Sequence, residues 1–157
     1  MNKKICYVIP FNKKQTNVEF HVKIQQTIQK IEKEGYTPSY EFGLISLFKN
    51  NKVNTYLFID LENINLEKKN KNIIILPESY YYCILCDYSE IKTNVKVYDN
   101  LLKINKDRVI IESELYSDYS KIASSIFELR CSLNENETAE ILKKSLIRSD
   151  FLKISTF

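Results

Sequence analysis

Residues 108–116 read Arg-Val-Ile-Ile-Glu-Ser-Glu-Leu-Tyr. Side chains alternate between the two faces of a β-strand, so this pattern predicts one largely apolar face and one mixed face. The apolar face carries Val109, Ile111, Ser113 and Leu115, and the mixed face carries Ile110, Glu112, Glu114 and Tyr116. We expect the apolar face to pack against a helix. The mixed face is either a solvated sheet surface or a site that uses its two carboxylates, because a carboxylate in apolar surroundings is otherwise costly.

The segments around this strand follow a pattern of strand, helix, strand and strand. Residues 80–86 have the composition of a strand, and residues 89–104 carry an apolar stripe at helical spacing. After the central strand, the polar stretch 117–121 leads into a last strand at 124–133. These elements predict one βαββ unit in the second half of the chain.

The first half repeats the same order of elements. Residues 4–9 form the expected strand, residues 17–34 the helix with Asn17 as its cap, and segments 40–48 and 53–60 a hairpin. Because order and lengths match the second half, we predict a structural duplication.

Two segments fall outside the duplicated pattern. The polar stretch 61–72 is the expected connector between the halves, and a short apolar run follows it at 73–76. At the end of the chain, residues 136–148 have helical periodicity and a short apolar tail follows. That helix either packs on its own domain or forms a dimer contact.

The composition limits the classes of function. A length of 157 residues suits one domain, and no apolar stretch reaches the ~18 residues of a membrane span. The first apolar run is too short for a signal peptide, so we expect a cytoplasmic protein without a membrane partner. The net charge of +3 comes without a helix-turn-helix pattern, so no direct nucleic-acid binding is expected.

Cysteine and histidine residues give no prediction of metal or cofactor chemistry. Cys83 and Cys86 have C-x-x-C spacing, but in a strand they point to opposite faces. We therefore predict buried free thiols, no metal and no cofactor. The single histidine, His21, lies on the first amphipathic helix and is interpreted as a surface residue. Glu128 shares a strand face with Arg130, and we expect it to form a structural pair either with Arg130 or with a neighbouring strand.

Tyrosine and phenylalanine are abundant, with 11 and 8 residues. Most are expected in the core or on strand surfaces, but tyrosine also suits ligand pockets because it is flat and has a polar tip. The aromatic residues selected as pocket candidates are Tyr40, Phe42, Tyr56, Phe58, Tyr80, Tyr82 and Tyr116. Aromatic faces around a buried carboxylate trap a lipophilic cation, and the same groups can serve general acid–base catalysis.

Three segments resemble one protein family. Residues 75–84 (Ile-Leu-Pro-Glu-Ser-Tyr-Tyr-Tyr-Cys-Ile) resemble the entry to the second half of gyrase-inhibitor-like (GyrI-like) ligand-binding domains. These domains also form the effector-binding part of bacterial MerR-type multidrug-responding transcription activators. Residues 113–118 and 127–133 are similar to the family's "x-E-i-Y-x-x-D" segment and its closing strand. The resemblance spans about residues 4–133. Ser79 and Ser132 depart from it, because they stand where the family has Gly and Pro.

The resemblance implies an α+β fold of two βαββ repeats with pseudo-twofold symmetry, whose antiparallel sheet has a central ligand cleft. The expected domain is 1–133, with halves at about 4–60 and 73–133, and 134–157 forms a C-terminal helical extension. The family's ligand-contacting glutamate corresponds to Glu114, or to Glu112 if the register slips by two. We expect this chain to lack the DNA-binding domain of the regulators, either as a stand-alone member of the family or as a shortened piece of one.

The sequence therefore favours a small-molecule effector-binding domain of the transcription-regulator type, for a lipophilic cationic or aromatic ligand. The expected ligand-binding residues are Glu114, Glu112, Tyr116, Tyr80, Tyr82, Tyr40, Phe42, Tyr56 and Phe58. One alternative is a stand-alone hydrolase of small electrophiles with Glu114 as base and a tyrosine (Tyr80, Tyr82 or Tyr116) as proton donor. The other is a protein-interaction module that acts through the C-terminal helix or an exposed sheet edge, with a second copy or a regulator protein as its partner.

Overall fold

The computed structural model describes residues 4–12, 14–50, 52–63, 70–76, 78–87, 107–116, 125–133 and 152–156. These residues form one helix and eight strands, so the fold is α+β. The elements are β1 (Lys4–Pro10), α1 (Asn17–Lys33), β2 (Thr37–Lys49), β3 (Lys52–Asn63), β4 (Ile73–Leu76), β5 (Tyr80–Asp87), β6 (Arg108–Tyr116), β7 (Ile126–Leu133) and β8 (Leu152–Thr156).

The eight strands form a single sheet in the order β4-β1-β3-β2-β6-β7-β5-β8. All the neighbouring strands pair antiparallel, as expected from the sequence. The centre of the sheet is the β2–β6 pair, where Ile45 lies opposite Ile111. From this centre outward, the order is β2, β3, β1 on one side and β6, β7, β5 on the other.

Helix α1 begins where the sequence supplies a complete N-terminal cap. The Thr16 hydroxyl accepts from the Glu19 amide, and the Glu19 carboxylate accepts from the Thr16 amide, which forms a capping box. The cap is therefore one residue earlier than the Asn17 predicted from the sequence. The buried side of the helix, which includes Ile24 and Ile31, packs on the face of β1 and β3 that carries Tyr7, Leu57 and Ile59.

The two faces of the sheet are named here by their relation to α1. The helix face is the one on which α1 packs, and the reverse face is the other. The reverse-face core consists of Cys6, Val8, Ile45, Phe58, Leu76, Tyr81, Cys83 and Ile111. Tyr81 on β5 belongs to the same packed core as Cys6 on β1, although five strand spacings of about 4.8 Å separate these strands in a flat sheet. The sheet therefore curls around its reverse face.

This curl reverses one expectation for β6. The face with Val109, Ile111 and Ser113 was expected to meet a helix, but it lies in or beside the reverse-face core. Helix α1 instead lies over the face that carries Glu114. The alternation correctly separated the two sets of side chains. It could not show that the apolar set is buried by the sheet itself.

The remaining predictions concern the hairpin in the first half, the C-terminal tail and two further helices. The hairpin of β2 and β3 turns at Asn50, whose φ of 54° is left-handed, and its Lys49–Lys52 pair closes the turn. The expected tail instead contains β8, which pairs with β5. The predicted helices at 89–104 and 136–148 lie outside the described residues. No helix in the described part of the chain is long and apolar enough to cross a membrane.

Candidate functional site

Glu114 lies on the helix face of β6 and is only 6% exposed. Its Oε1 atom is 2.9 Å from Nε2 of His21, which α1 presents toward the sheet. His21 is itself 7% exposed, so the interpretation of this histidine as a surface residue was wrong. The contact joins the first helix to a strand of the second half of the chain.

A second contact fixes how the His21 ring is protonated. Its Nδ1 atom lies 2.8 Å from the carbonyl oxygen of Asn17, one helical turn earlier. A carbonyl oxygen only accepts hydrogen bonds, so Nδ1 carries a hydrogen. The Nε2–Oε1 contact to Glu114 then contains one further hydrogen, held by the ring or by the carboxyl. In both arrangements the net charge of the His21–Glu114 pair is zero.

Glu112 shares the helix face with Glu114 but has different neighbours. Its cross-strand partners are Leu44 on β2 and Leu129 on β7. The side chain is partly buried, and no hydrogen bond or ion pair to it occurs within the described residues. Burial, with a smaller contribution from the negative charge of Glu114, raises the pKa of Glu112 from 4.5 to about 7. Glu112 is therefore the carboxylate whose charge has no protein counter-ion in this part of the chain.

Aromatic and aliphatic side chains surround the two acids. The rings of Phe20 and Phe42 meet the His21 ring edge-on, with centroids 5.4 and 6.2 Å away. Phe127 on β7 is the cross-strand partner of Glu114. Beyond it, the helix face of the second half is an apolar core of Tyr82, Ile84, Cys86, Phe127, Leu129, Cys131 and Leu133. The low polarity of these neighbours strengthens any electrostatic interaction made by the acids.

A hollow of about 330 Å³ lies beside α1. The described residues that line it are Val18, His21, Val22, Gln25, Gln26 and Gln29. Val18 and Val22 are 68% and 50% exposed, which is unusual for valine on a helix that packs against a sheet. None of these lining side chains except His21 can carry a charge. His21 thus belongs both to the hollow and to the acid pair.

The sequence-based site residues divide into those near the acids and those elsewhere. Glu114 and Phe42 contact His21, and Glu112 is two positions before Glu114 on the same face of β6. Tyr82 on β5 is on the same face. Its cross-strand partner on β7 is Cys131, and Cys131 pairs in turn with Ile110 on β6, so Tyr82 is level with Ile110 rather than with Glu112. Tyr80 lies at the start of β5, two residues before Tyr82, and is 48% exposed.

Three of the predicted aromatic site residues do not join the acids. Phe58 is fully buried in the reverse-face core, and Tyr56 packs against that core. Tyr56 also lines a separate hollow of about 320 Å³ at the end of β1 and β3. Tyr40 is 99% exposed. Strand alternation predicted that Tyr56 and Phe58 share a face, but it could not show that the curled sheet buries that face. The side chain of Tyr116 lies outside the described residues.

An ion-pair network lies on the reverse face, directly behind the acids. Glu41 on β2 accepts from Lys4 at 2.8 Å and from the hydroxyl of Ser113 at 2.8 Å, and it lies 3.4 Å from Arg130. Arg130 also pairs with Glu128, as predicted. Ser113 stands between Glu112 and Glu114 in β6, so this network fixes the strand that carries both acids. Burial alone would raise the pKa of Glu41, but Lys4, Ser113 and Arg130 together lower it.

His21 is the functional candidate that the sequence reasoning missed. The sequence does indicate that His21 faces the core, because Ile24, Ile28 and Ile31 follow it at intervals of three, seven and ten residues and belong to the buried side of α1. A histidine on an apolar stripe needs a polar partner when it is buried. The partner, Glu114, is 93 residues away in sequence and could not be inferred from local patterns.

The cysteines behave as the strand pattern predicted. All four are buried and free, and Cys83 and Cys86 belong to cores on opposite faces. Burial raises the pKa of the Cys6 thiol to about 12, so Cys6 is a poor nucleophile. No cluster of three His, Cys, Asp or Glu side chains suited to a metal ion occurs in the residues that the structure describes.

Comparisons with protein-family models, with curated proteins and with solved structures find no match. What the site can do chemically is therefore inferred from its geometry alone. One carboxyl, Glu114, is neutralised by His21, and a second, Glu112, lies between leucines without a counter-ion in the described residues. Such an arrangement can accept a cation or a proton from outside the protein.

Proposed function

We propose that this protein binds a small lipophilic cation on the helix face, between α1 and β6, with Glu112 as its counter-ion. The observation that carries the proposal is the position of Glu112 between Leu44 and Leu129, without a partner in the described residues. A charged carboxylate in such surroundings is costly unless an opposite charge joins it. A cationic ligand supplies that charge and covers the apolar neighbours at the same time.

The hollow beside α1 supports the same class of ligand. Its volume of about 330 Å³ is within the range of small-molecule pockets, and Val18 and Val22 give it apolar walls. The rings of Phe20 and Phe42 make T-shaped contacts with His21, which lines the hollow. A ligand with flat apolar parts and a diffuse positive charge fits these walls better than a small hydrated ion.

We also propose that the fold is a duplicated GyrI-like domain. The outward strand orders β2, β3, β1 and β6, β7, β5 support two βαββ units about an axis between β2 and β6. In this proposal the ligand's charge is balanced by Glu112 rather than by Glu114, and the contact between His21 and Glu114 supports that choice. In this proposal the domain acts in the cytoplasm as the effector-binding part of a regulator, and it leaves nucleic acid to another domain or partner.

A direct test is titration of the protein into rhodamine 6G, a fluorescent lipophilic monocation, followed by fluorescence anisotropy. We expect a micromolar dissociation constant, and about tenfold or weaker binding for Glu112→Gln, because the substitution removes the counter-ion but keeps the side-chain shape. Wild-type binding should also tighten as the pH rises through about 7, since the cation binds the deprotonated form of Glu112. Glu112→Gln should lack this pH dependence.

Glu62→Gln is the matched control for the binding test. Glu62 is an exposed carboxylate on β3, so its replacement removes one negative charge without touching the site. We expect this variant to bind the dye as the wild type does. Equal losses in the two variants would assign the effect to overall charge, and unchanged binding by Glu112→Gln would contradict the role of Glu112.

Hydrolysis of a small electrophile is the second candidate function. The observation that favours it is again Glu112, because a carboxyl with a pKa of about 7 is well matched to general base catalysis near neutral pH. Glu114, the base expected from the sequence, is less suited to this role because its Oε1 atom is engaged by His21. Turnover of small epoxides that is lost in Glu112→Gln would favour this function over binding alone.

A further inference from the structure

The hollow that Tyr56 lines lies where β3 extends beyond the end of β1. In the pairing of β1 with β3, Pro10 is opposite Tyr56, and β3 begins four residues earlier, at Lys52. Residues 52–55 therefore pair with β2 alone within the described part of the chain. The hollow of about 320 Å³ occupies the place that a longer β1 would fill, so a strand edge forms one of its sides.

The backbone of Val53 is directed toward this space. A two-residue turn closes on a hydrogen-bonded pair, here Lys49–Lys52, and bonded and non-bonded pairs then alternate along the hairpin. The pair that contains Val53 comes next, so its N–H and C=O point away from β2. Two pairs farther on, the hydroxyl oxygens of Ser46 and Thr55 are 2.9 Å apart, which is typical of the closer, non-bonded pairs. The described residues supply no partner for the two backbone groups of Val53.

The other walls of the hollow are partly aromatic and carry no charge. Its described lining residues are Pro10, Phe11, Val53, Asn54, Thr55 and Tyr56. The Phe11 ring makes an edge-on contact with Phe20 of α1, with centroids 6.3 Å apart, and Tyr56 packs against the reverse-face core. Because the protein already holds both rings, they offer a preformed surface to a flat ligand. The uncharged lining favours a neutral ligand, since a charge placed there would lose water without gaining a counter-ion.

We propose that this hollow is a second ligand site, for a neutral, flat nitrogen heterocycle with a hydrogen-bond donor beside an acceptor, as on the edge of an adenine base. The ligand donates to the Val53 carbonyl oxygen and accepts from the Val53 amide, while its ring lies against Phe11 and Tyr56. The Asn54 carboxamide, which can both donate and accept, serves further polar groups of the ligand. This site goes beyond the proposed function, and it shares no lining residue with the hollow beside α1.

Val53→Pro tests the backbone contact directly. Proline has no N–H, and at a residue whose N–H faces an open edge it removes no hydrogen bond of the sheet. Val53→Ala is the matched control, because it shortens the same side chain and keeps the N–H. Binding of adenosine to the full chain is measured by isothermal titration calorimetry, with circular dichroism to establish that each variant is folded. We expect a dissociation constant of about 0.1 mM for the wild type, a value within about threefold of it for Val53→Ala, and binding weaker by about tenfold for Val53→Pro.

Two analogues of adenosine test the class of ligand on the wild type. Purine riboside keeps the ring and the sugar but lacks the amino group, so it has no donor beside its ring nitrogens, and we expect it to bind about tenfold more weakly. AMP adds a phosphate, for which the lining has no counter-charge, so we expect it to bind no more tightly than adenosine. AMP that binds more than about threefold more tightly would overturn the assignment of a neutral ligand.

Three further results would overturn the inference. They are no binding of adenosine to the wild type, equal binding by Val53→Pro and Val53→Ala, and equal binding of adenosine and purine riboside. Should Val53→Pro not fold, the comparison of adenosine with purine riboside on the wild type decides alone. Each of these results leaves the proposed cation site at Glu112 untouched, because that site is tested with different ligands and different variants.

Discussion

Gly43→Ala is expected to lower the free energy of unfolding by about 3 kcal/mol, because position 43 leaves no room for a side chain. A Cβ atom there would lie 1.8 Å from the carbonyl oxygen of Glu112 and 3.1 Å from the Cα of Ser113. Both are backbone atoms of β6, so neither can rotate out of the way as a side-chain end would. The β2–β6 pair, which joins the two halves of the sheet, must separate to accommodate the methyl group.

Urea unfolding followed by circular dichroism measures this loss. Tyr40→Ala is the control on the same strand, since Tyr40 is 99% exposed and its loss should change stability by less than about 0.5 kcal/mol. We also expect Gly43→Ala to weaken cation binding, because the displaced carbonyl belongs to Glu112 itself. A Gly43→Ala protein as stable as Tyr40→Ala would show that β2 and β6 are not packed as closely as described.

Glu112→Gln is expected to stabilise the protein by about 3 kcal/mol at about pH 8, although it removes the proposed ligand contact. The folded state raises the pKa of Glu112 from 4.5 to about 7, so it holds this proton more tightly than the unfolded chain does. The favourable contribution of the protonated carboxyl is complete below about pH 4.5 and is lost as the pH rises through 7. Glutamine stays neutral throughout and avoids that loss.

The measurement is the difference in unfolding free energy between the wild type and Glu112→Gln at about pH 4.5 and about pH 8. We expect a small difference at the lower pH and a stabilised variant at the higher pH. Glu62→Gln, on the exposed part of β3, should show no such change. A Glu112→Gln protein that is equally or less stable than the wild type at the higher pH would mean that Glu112 is solvated or paired.

A variant that is more stable but binds less well would indicate that Glu112 is kept for function. Natural proteins hold unfavourable groups at binding sites and offset them through packing elsewhere. Here the offset is available from the ion-pair network behind β6, where Glu41 joins Lys4, Ser113 and Arg130. The strand that carries the costly carboxylate is thus held from its other face.

Local sequence patterns were sufficient to predict the bounds of β6 and the division of its side chains between two faces. The predicted bounds of 108–116 agree with the structure, and alternation placed Glu112 and Glu114 on one face, with Ile111 and Ser113 on the other. The period of a strand fixes such parity without any knowledge of tertiary structure. The same rule correctly separated Cys83 from Cys86.

Long-range geometry decided what local patterns could not. The leucine neighbours of Glu112 depend on the strand order, because Leu44 and Leu129 are distant in sequence and meet Glu112 only through pairing. The curl of the sheet buries Phe58 on the reverse face, which removed it from the predicted pocket. The His21–Glu114 contact likewise depends on where α1 packs on the sheet. Each of these features is a consequence of tertiary packing rather than of sequence period.

The central claim is that a lipophilic cation binds beside an unbalanced Glu112 carboxylate. The most direct measurement is the pH titration of the glutamate side-chain carboxyl ¹³C signals by NMR, with and without saturating ethidium, and with Glu112 assigned through Glu112→Gln. We expect Glu112 to titrate near pH 7 in the free protein and at least about one pH unit lower with the dye bound. A Glu112 signal that titrates at its ordinary value of 4.5, or that ethidium does not shift, would contradict the claim.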